Sequence, residues 1–203
     1  MRPELHDQRR EKVLAAAREL FLAKGYGRAT VAEVAKAARV APATVYAYYD
    51  GKLALFRAVV DGAAQPFAGL FDHVDQSVDD VRTQLLTYAK AYFAFMSDPQ
   101  VRAYYRIVSA EQPRHPELGA GLHSDVHRLL GAVLRGILER FVATGVLRMA
   151  SLPIAARAFQ GMVEHASLTI SMLQGDDAAP LHPSQEYCEE VVRIFLSAYA
   201  VEN

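Results

Sequence analysis

The chain has 203 residues, 52% of them hydrophobic, with 22 Lys and Arg against 23 Asp and Glu. That length suits one large domain or two smaller ones, and so much apolar content excludes a disordered chain. The net charge of −1 conceals a polarity: residues 1–60 hold eleven basic against six acidic side chains (+5), and residues 61–203 hold eleven against seventeen (−6).

A basic front on an acidic body suits phosphate binding by the first part alone. The single cysteine, Cys188, excludes an intramolecular disulfide framework and suits a reducing compartment. The N-terminus lacks the apolar core of a signal peptide, and no apolar run approaches the roughly eighteen residues of a membrane span. A cytoplasmic protein with no membrane partner is therefore expected.

Helical periodicity dominates and strand alternation is nearly missing, so the expected fold is all-α with about nine helices. The first should run from about Asp7 to Lys24, with Val13, Leu14, Ala17, Leu20 and Phe21 on one face. Gly25 should end it in a left-handed cap. Thr30, with Glu33 three residues on, reads as a capping box opening a second helix whose apolar side is Val31, Val34, Ala35 and Ala38. Arg39, Val40 and Ala41 form a turn. Pro42 suits the first position of a third helix ending near Tyr49, too short to stand alone and held by Val40 and Val45. A linking helix follows from Lys52 to about Phe71. Later helices are expected at about Asp80–Met96, Gln100–Glu111, Pro116–Thr144, Pro153–Gln174 and Ser184–Val201, between segments with turn chemistry. The expected division is a three-helix domain over 1–52 and a larger helical bundle over 53–203.

Two short helices across a tight turn form the helix-turn-helix arrangement, which lays its second helix in the major groove of DNA. Thr44, on that helix's first turn, suits a phosphate or a thymine methyl. Tyr46 and Tyr48 offer flat apolar faces and donor hydroxyls to the sugar–phosphate wall. Lys52 adds its ammonium to the positive end of the next helix. Arg28 and Thr30 flank the start of the preceding helix and reach for the opposite groove edge, and Arg39 brings a cation into the turn. Tyr49 belongs to the core. Such proteins usually read two half-sites of double-stranded operator DNA as dimers.

The stretches PheLeuAlaLysGlyTyr (21–26), ThrValAlaGluValAlaLysAlaAla (30–38), AlaThrValTyrAlaTyrTyr (43–49) and LysLeuAlaLeuPhe (52–56) closely resemble the N-terminal domain of the TetR family of transcriptional regulators. The resemblance covers about residues 8–60 and puts Thr44, Tyr46, Tyr48 and Lys52 at the family's DNA-contact positions. It also implies a helical C-terminal domain that dimerises and binds a small ligand, with repression as the default. Three departures stand out. Arg39 replaces a turn glycine, at ~1–2 kcal/mol for a left-handed non-glycine. Ala41 replaces a serine cap, forfeiting on the order of 1 kcal/mol, and Ala43 replaces a glycine.

Residues 98–118, 145–147 and 156–163 resemble one C-terminal subtype of the same family. Two apolar stripes, one through Ala158, Phe159, Met162, Ala166, Ile170 and Leu173, the other through Val191, Val192, Phe195, Ala198 and Tyr199, suggest a homodimer through the last two helices. Candidate effector contacts are Tyr88, Tyr92 and Met96 on one helix face, with Tyr105, Phe159, Met162 and His165. Such a pocket, apolar with a few polar tips, suits a lipophilic or aromatic molecule. His123 and His127 are spaced i,i+4 but lie in no HisGluXaaXaaHis pattern, so neither metal nor cofactor is expected. With no nucleophile elbow, P-loop or dinucleotide fingerprint, the expected class is a ligand-responsive regulator and not an enzyme. The alternative is a DNA-binding dimer without an effector.

Overall fold

Gly25 shapes the first element. In the computed structural model, which describes residues 3–71, 80–175 and 184–201 (side chains excepted at 3–6, 64–71 and 120–129), α1 (Pro3–Arg28) is helical on both sides of Gly25, whose φ of 75° and ψ of 172° break its ladder. Only a residue without a Cβ takes that conformation cheaply. The glycine thus interrupts the helix at the expected place, but the chain resumes helical turns as far as Arg28. Val13, Ala17 and Phe21 are buried, while Leu14 and Leu20 are half-buried.

α2 (Val31–Ala38) opens with the capping box complete: the Glu33 amide donates to Thr30 Oγ1 over 3.2 Å, and the Thr30 amide donates back to Glu33 Oε2 over 3.0 Å. Val34, Ala35 and Ala38 face inward. Arg39 closes the helix in the left-handed region, φ 55° and ψ 45°. α3 (Pro42–Tyr48) starts at Pro42 behind an Ala41 that supplies no side-chain cap. α4 (Gly51–Phe71) follows.

α5 (Val81–Ser97) is capped by Asp80, whose carboxylate accepts from the amides of Arg82 and Thr83. Then come α6 (Pro99–Glu111), α7 (Pro116–Ala143) and α8 (Leu152–Glu164). The helix expected over 153–174 is one run in three parts: α8, a π-helical turn over His165–Thr169, and α9 (Ile170–Gln174). In the π turn the Ile170 amide bonds His165 O, one residue further back than an α-helix allows. α10 (Ser184–Tyr199) ends in an isolated antiparallel bridge between Leu147 and Ala200, with Val201 N bonding Val146 O at 3.0 Å. Apart from that bridge, the described residues are helices and connections, so the fold is all-α.

The chain divides into two compact units, residues 1–63 with 103–125, and 64–102 with 126–203. This cut differs from the expected one at 52/53, and an aromatic cluster explains it. Phe56 meets Phe21 at 5.1 Å, Tyr26 at 5.3 Å and Tyr104 at 6.2 Å between ring centres, and His115 meets Tyr26 at 5.0 Å. Edge-to-face pairs of this kind contribute about 0.5–1.5 kcal/mol each beyond burial. The first half of α4 and the α6–α7 corner therefore complete the core of the first unit. In the second unit α5 packs on α8 and α10, and Phe159 sits edge-on to Phe195 at 5.0 Å.

Candidate nucleic-acid interface

Seven residues make α3 too short to persist alone. Val45 and Tyr49 are its anchors, 1% and 6% exposed, and Arg10 reaches the Tyr49 hydroxyl from α1 with its Nε at 3.3 Å. With those two side chains inward, the helix turns the opposite side out. Tyr46 is 59% exposed, Ala43 and Ala47 are exposed beside it, and Thr44 and Tyr48 sit half-buried at the edges. Small side chains next to one large aromatic leave the backbone open to close approach. Exposed Arg39 stands at the turn before this helix.

The flanking candidates carry structural duties as well. Thr30 accepts from the Glu33 amide and donates its hydroxyl to Glu33 Oε2 at 3.0 Å, so its only proton is engaged in the cap. Glu33 in turn takes Lys24 Nζ at 2.7 Å. Those bonds, with Lys24 first and Thr30 next, hold the Glu33 carboxyl below its ordinary pKa. Arg28 is exposed and folds its Nε back to Lys24 O at 3.0 Å.

Lys52 was expected at a phosphate. In the structure its ammonium donates to Gly27 O at 3.1 Å and lies 4.4 Å from the centre of the Tyr26 ring. Desolvation there pulls its pKa below the usual lysine value. One of its three donors thus ties α4 to the end of α1. The other side of Gly27 is held too, its amide donating to Glu111 Oε1 at 3.0 Å. A Cβ on residue 27 would lie 2.9 Å from that oxygen, so the tip of the Glu111 side chain would have to shift to admit one. Sequence reasoning missed Glu111 and Arg10, because no local pattern links residues 84 and 39 positions apart.

Two family models match this chain. Residues 13–59 match the bacterial regulatory proteins of the tetR family, and residues 83–201, more than half the chain, match the C-terminal domain of AefR-like transcriptional repressors. The chain belongs to the TetR family. It is therefore a helix-turn-helix transcriptional regulator, a class of DNA-binding proteins and not of enzymes.

Among curated proteins, this TetR-family chain is 27% identical over 114 residues to the HTH-type transcriptional activator FasR of Mycolicibacterium smegmatis. That match covers 56% of this chain and 52% of FasR, so the chain spans about half the length of the relative. Two solved structures share its fold. The flavonoid-responsive regulator FrrA superposes with a TM-score of 0.78 at 24% identity, over 97% of this chain and all of FrrA (100%). FadR of Bacillus subtilis, solved with stearoyl-CoA, gives 0.70 at 19%, over 92% and 97% of the two chains.

In the second unit of this TetR-family protein, four of the seven candidate effector residues are fully buried: Tyr88, Tyr92, Met96 and Phe159. Tyr88 lies 5.7 Å from Tyr92 and 6.1 Å from Phe159 between ring centres. The two tyrosine hydroxyls bond from α5 to α7 and α8. Tyr88 donates to Leu130 O at 3.1 Å and accepts from Gln160 at 2.9 Å, and Tyr92 donates to Glu164. Burial drives the Tyr88 phenol far above its ordinary pKa, so it stays neutral. Met162 is half-buried, its carbonyl accepting from the Tyr187 hydroxyl at 2.5 Å. The other two do not join the group: His165 faces solvent, and Tyr105 belongs to the first unit. A helix-face pattern places Tyr88, Tyr92 and Met96 together but says nothing of which unit takes residue 105.

The dimer stripes also split. Phe159, Val191, Val192 and Phe195 turn into their own core, whereas Ile154, Leu173 and Ile194 on the same helices are 68%, 81% and 43% exposed. The side chains of His123 and His127 lie outside the described residues, among which no cluster of His, Cys, Asp and Glu has the makings of a metal site. Nor is any described helix long and apolar enough to cross a membrane.

Proposed function

We propose that this chain is a ligand-responsive cytoplasmic repressor that binds operator DNA as a homodimer through α3. The observation that carries the reading is the outward face of α3: an exposed Tyr46 between Ala43 and Ala47, over buried Val45 and Tyr49. Thr44 and Tyr48 flank it as sugar–phosphate contacts. Arg28 and Arg39 supply the phosphate-neutralising charge. Lys52 acts at the same wall with its remaining donors, and Thr30 acts by fixing the start of α2. Titrating labelled DNA, selected from a random pool, tests this. Tyr46→Ala should weaken specific binding at least tenfold while leaving the melting temperature in place, and unchanged affinity would sink the assignment.

Repression follows the AefR-like character of the C-terminal domain; FasR, an activator, marks the opposite outcome. The effector is lipophilic or aromatic and enters the second unit beside Tyr88, Tyr92, Met96, Phe159 and Met162. The apolar lining supports this, and FrrA and FadR set flavonoids and long-chain acyl-CoA first in the panel to be screened. The second reading, a DNA-binding dimer with no effector, draws support from the bonded hydroxyls and full burial of Tyr88 and Tyr92. A panel in which no compound changes operator affinity would favour it.

A further inference from the structure

Within the first unit a crevice of about 500 Å3 lies between the last turns of α1 and α6. That volume falls in the range of small-molecule sites, roughly 300–1,000 Å3. The apolar part of its floor is built around Leu22 and Ile107, and Leu22 keeps 38% of its surface exposed. Arg28 from α1 and Arg106 from α6 line its walls, with Lys24, whose ammonium is held by Glu33 at 2.7 Å. The one acid lining it is Glu111, whose carboxylate already accepts the Gly27 amide at 3.0 Å.

We propose that this crevice binds a small amphipathic anion, a carboxylate on an apolar body, and that the bound anion opposes DNA binding. The apolar floor takes the body. The carboxylate takes charge-assisted hydrogen bonds from the Arg28 and Arg106 guanidinium groups. A neutral or cationic molecule of the same shape gains only the floor. The site is separate from the Tyr88–Phe159 cluster, since its lining comes entirely from residues 22–28 and 103–111 of the first unit.

The effect on DNA follows from Arg28. It stands two residues before the Thr30 cap, and an anion that occupies its guanidinium withdraws one phosphate contact. Losing that contact lowers the slope of log K against log salt by about 0.9 per subunit. Ligand and DNA then weaken each other by the same factor. This coupling rests on the proposed DNA face; occupation of the crevice does not.

Calorimetric titration of the full chain with octanoate, octanol and octylamine tests the site without DNA. Octanoate alone should bind saturably. Ala110 lines the crevice and is exposed, so substitutions there spare the core. Ala110→Glu should weaken octanoate at least tenfold and Ala110→Lys should retain it, with equal melting temperatures. Equal response to all three ligands, or equal response of the two Ala110 variants, would overturn the site. In a second arm, saturating octanoate should weaken binding to the selected DNA several-fold, and less so in Ala110→Glu. Octanoate binding without that effect would overturn the coupling, whereas a chain that binds no DNA at all would overturn the proposed DNA face and leave the first arm standing.

Discussion

Arg39 holds a left-handed backbone, φ 55°, where a side chain crowds its own peptide. The sequence position made this legible: a turn between two short helices, with Arg in place of the family's glycine. Its Cβ costs ~1–2 kcal/mol, set against a cation beside the proposed phosphate contacts. Arg39→Gly should therefore raise stability by about 1 kcal/mol, a melting-temperature gain of roughly 2–4 °C for a chain of this size. It should also lower the salt dependence of DNA binding by about one phosphate per subunit. A stability gain with an unchanged salt slope would make Arg39 a tolerated strain with no part at DNA. Gly27 shows the opposite limit of legibility. Nothing around it in sequence announces that a carboxylate 84 positions away accepts its amide.

At the scale of elements, boundaries with local chemistry were legible and those without it were not. Thr30 with Glu33, Pro42, and Asp80 before α5 each mark a helix start through groups that satisfy or avoid an orphan amide, and each does so in the structure. The π turn over His165–Thr169 had no such mark, since a one-residue slip in the hydrogen-bond ladder keeps the same apolar residues in a continuous helix. Its backbone is braced from α6, where Arg102 Nη2 donates to Ser167 O at 2.7 Å. α3 remains the marginal element, because Ala41 has the extended N-cap conformation, φ −70° and ψ 146°, without a capping oxygen. Pro42 has no amide and the Thr44 amide bonds Ala41 O at 2.9 Å, so Ala41→Ser supplies that oxygen to the Ala43 amide and should stabilise the chain by up to about 1 kcal/mol. Thermal denaturation reads it directly. A melting temperature at or below that of the parent would mean that the first turn of α3 is already satisfied.

For the whole molecule, the periodic stripes on the last two helices hold both inward and outward side chains: Phe159, Val191, Val192 and Phe195 are buried, whereas Leu173 is 81% exposed. A stripe records only that a helix has an apolar side, and here the stripes close the chain's own core around Phe159 and Phe195. The two expected domains have other bounds in the structure for a related reason, since Phe56, Tyr104 and His115 lie in segments that look like body helices and yet complete the core of the first unit. What remains outside on the late helices is Ile154, Leu173 and Ile194, large apolar groups that an isolated chain would leave in water. Each returns about 1.5–3 kcal/mol when fully buried, less for surface already covered, and a twofold interface counts every such residue twice. Leu173, 81% exposed, contributes nothing of that order to the isolated fold. Leu173→Glu with Ile154→Glu should therefore leave the helical spectrum intact while shifting the sedimentation profile from dimer to monomer at micromolar concentration. Operator binding should fall with it, and the salt slope should drop to about half as one reading head engages in place of two. A variant that still sediments as a dimer would move the subunit contact away from α8–α10.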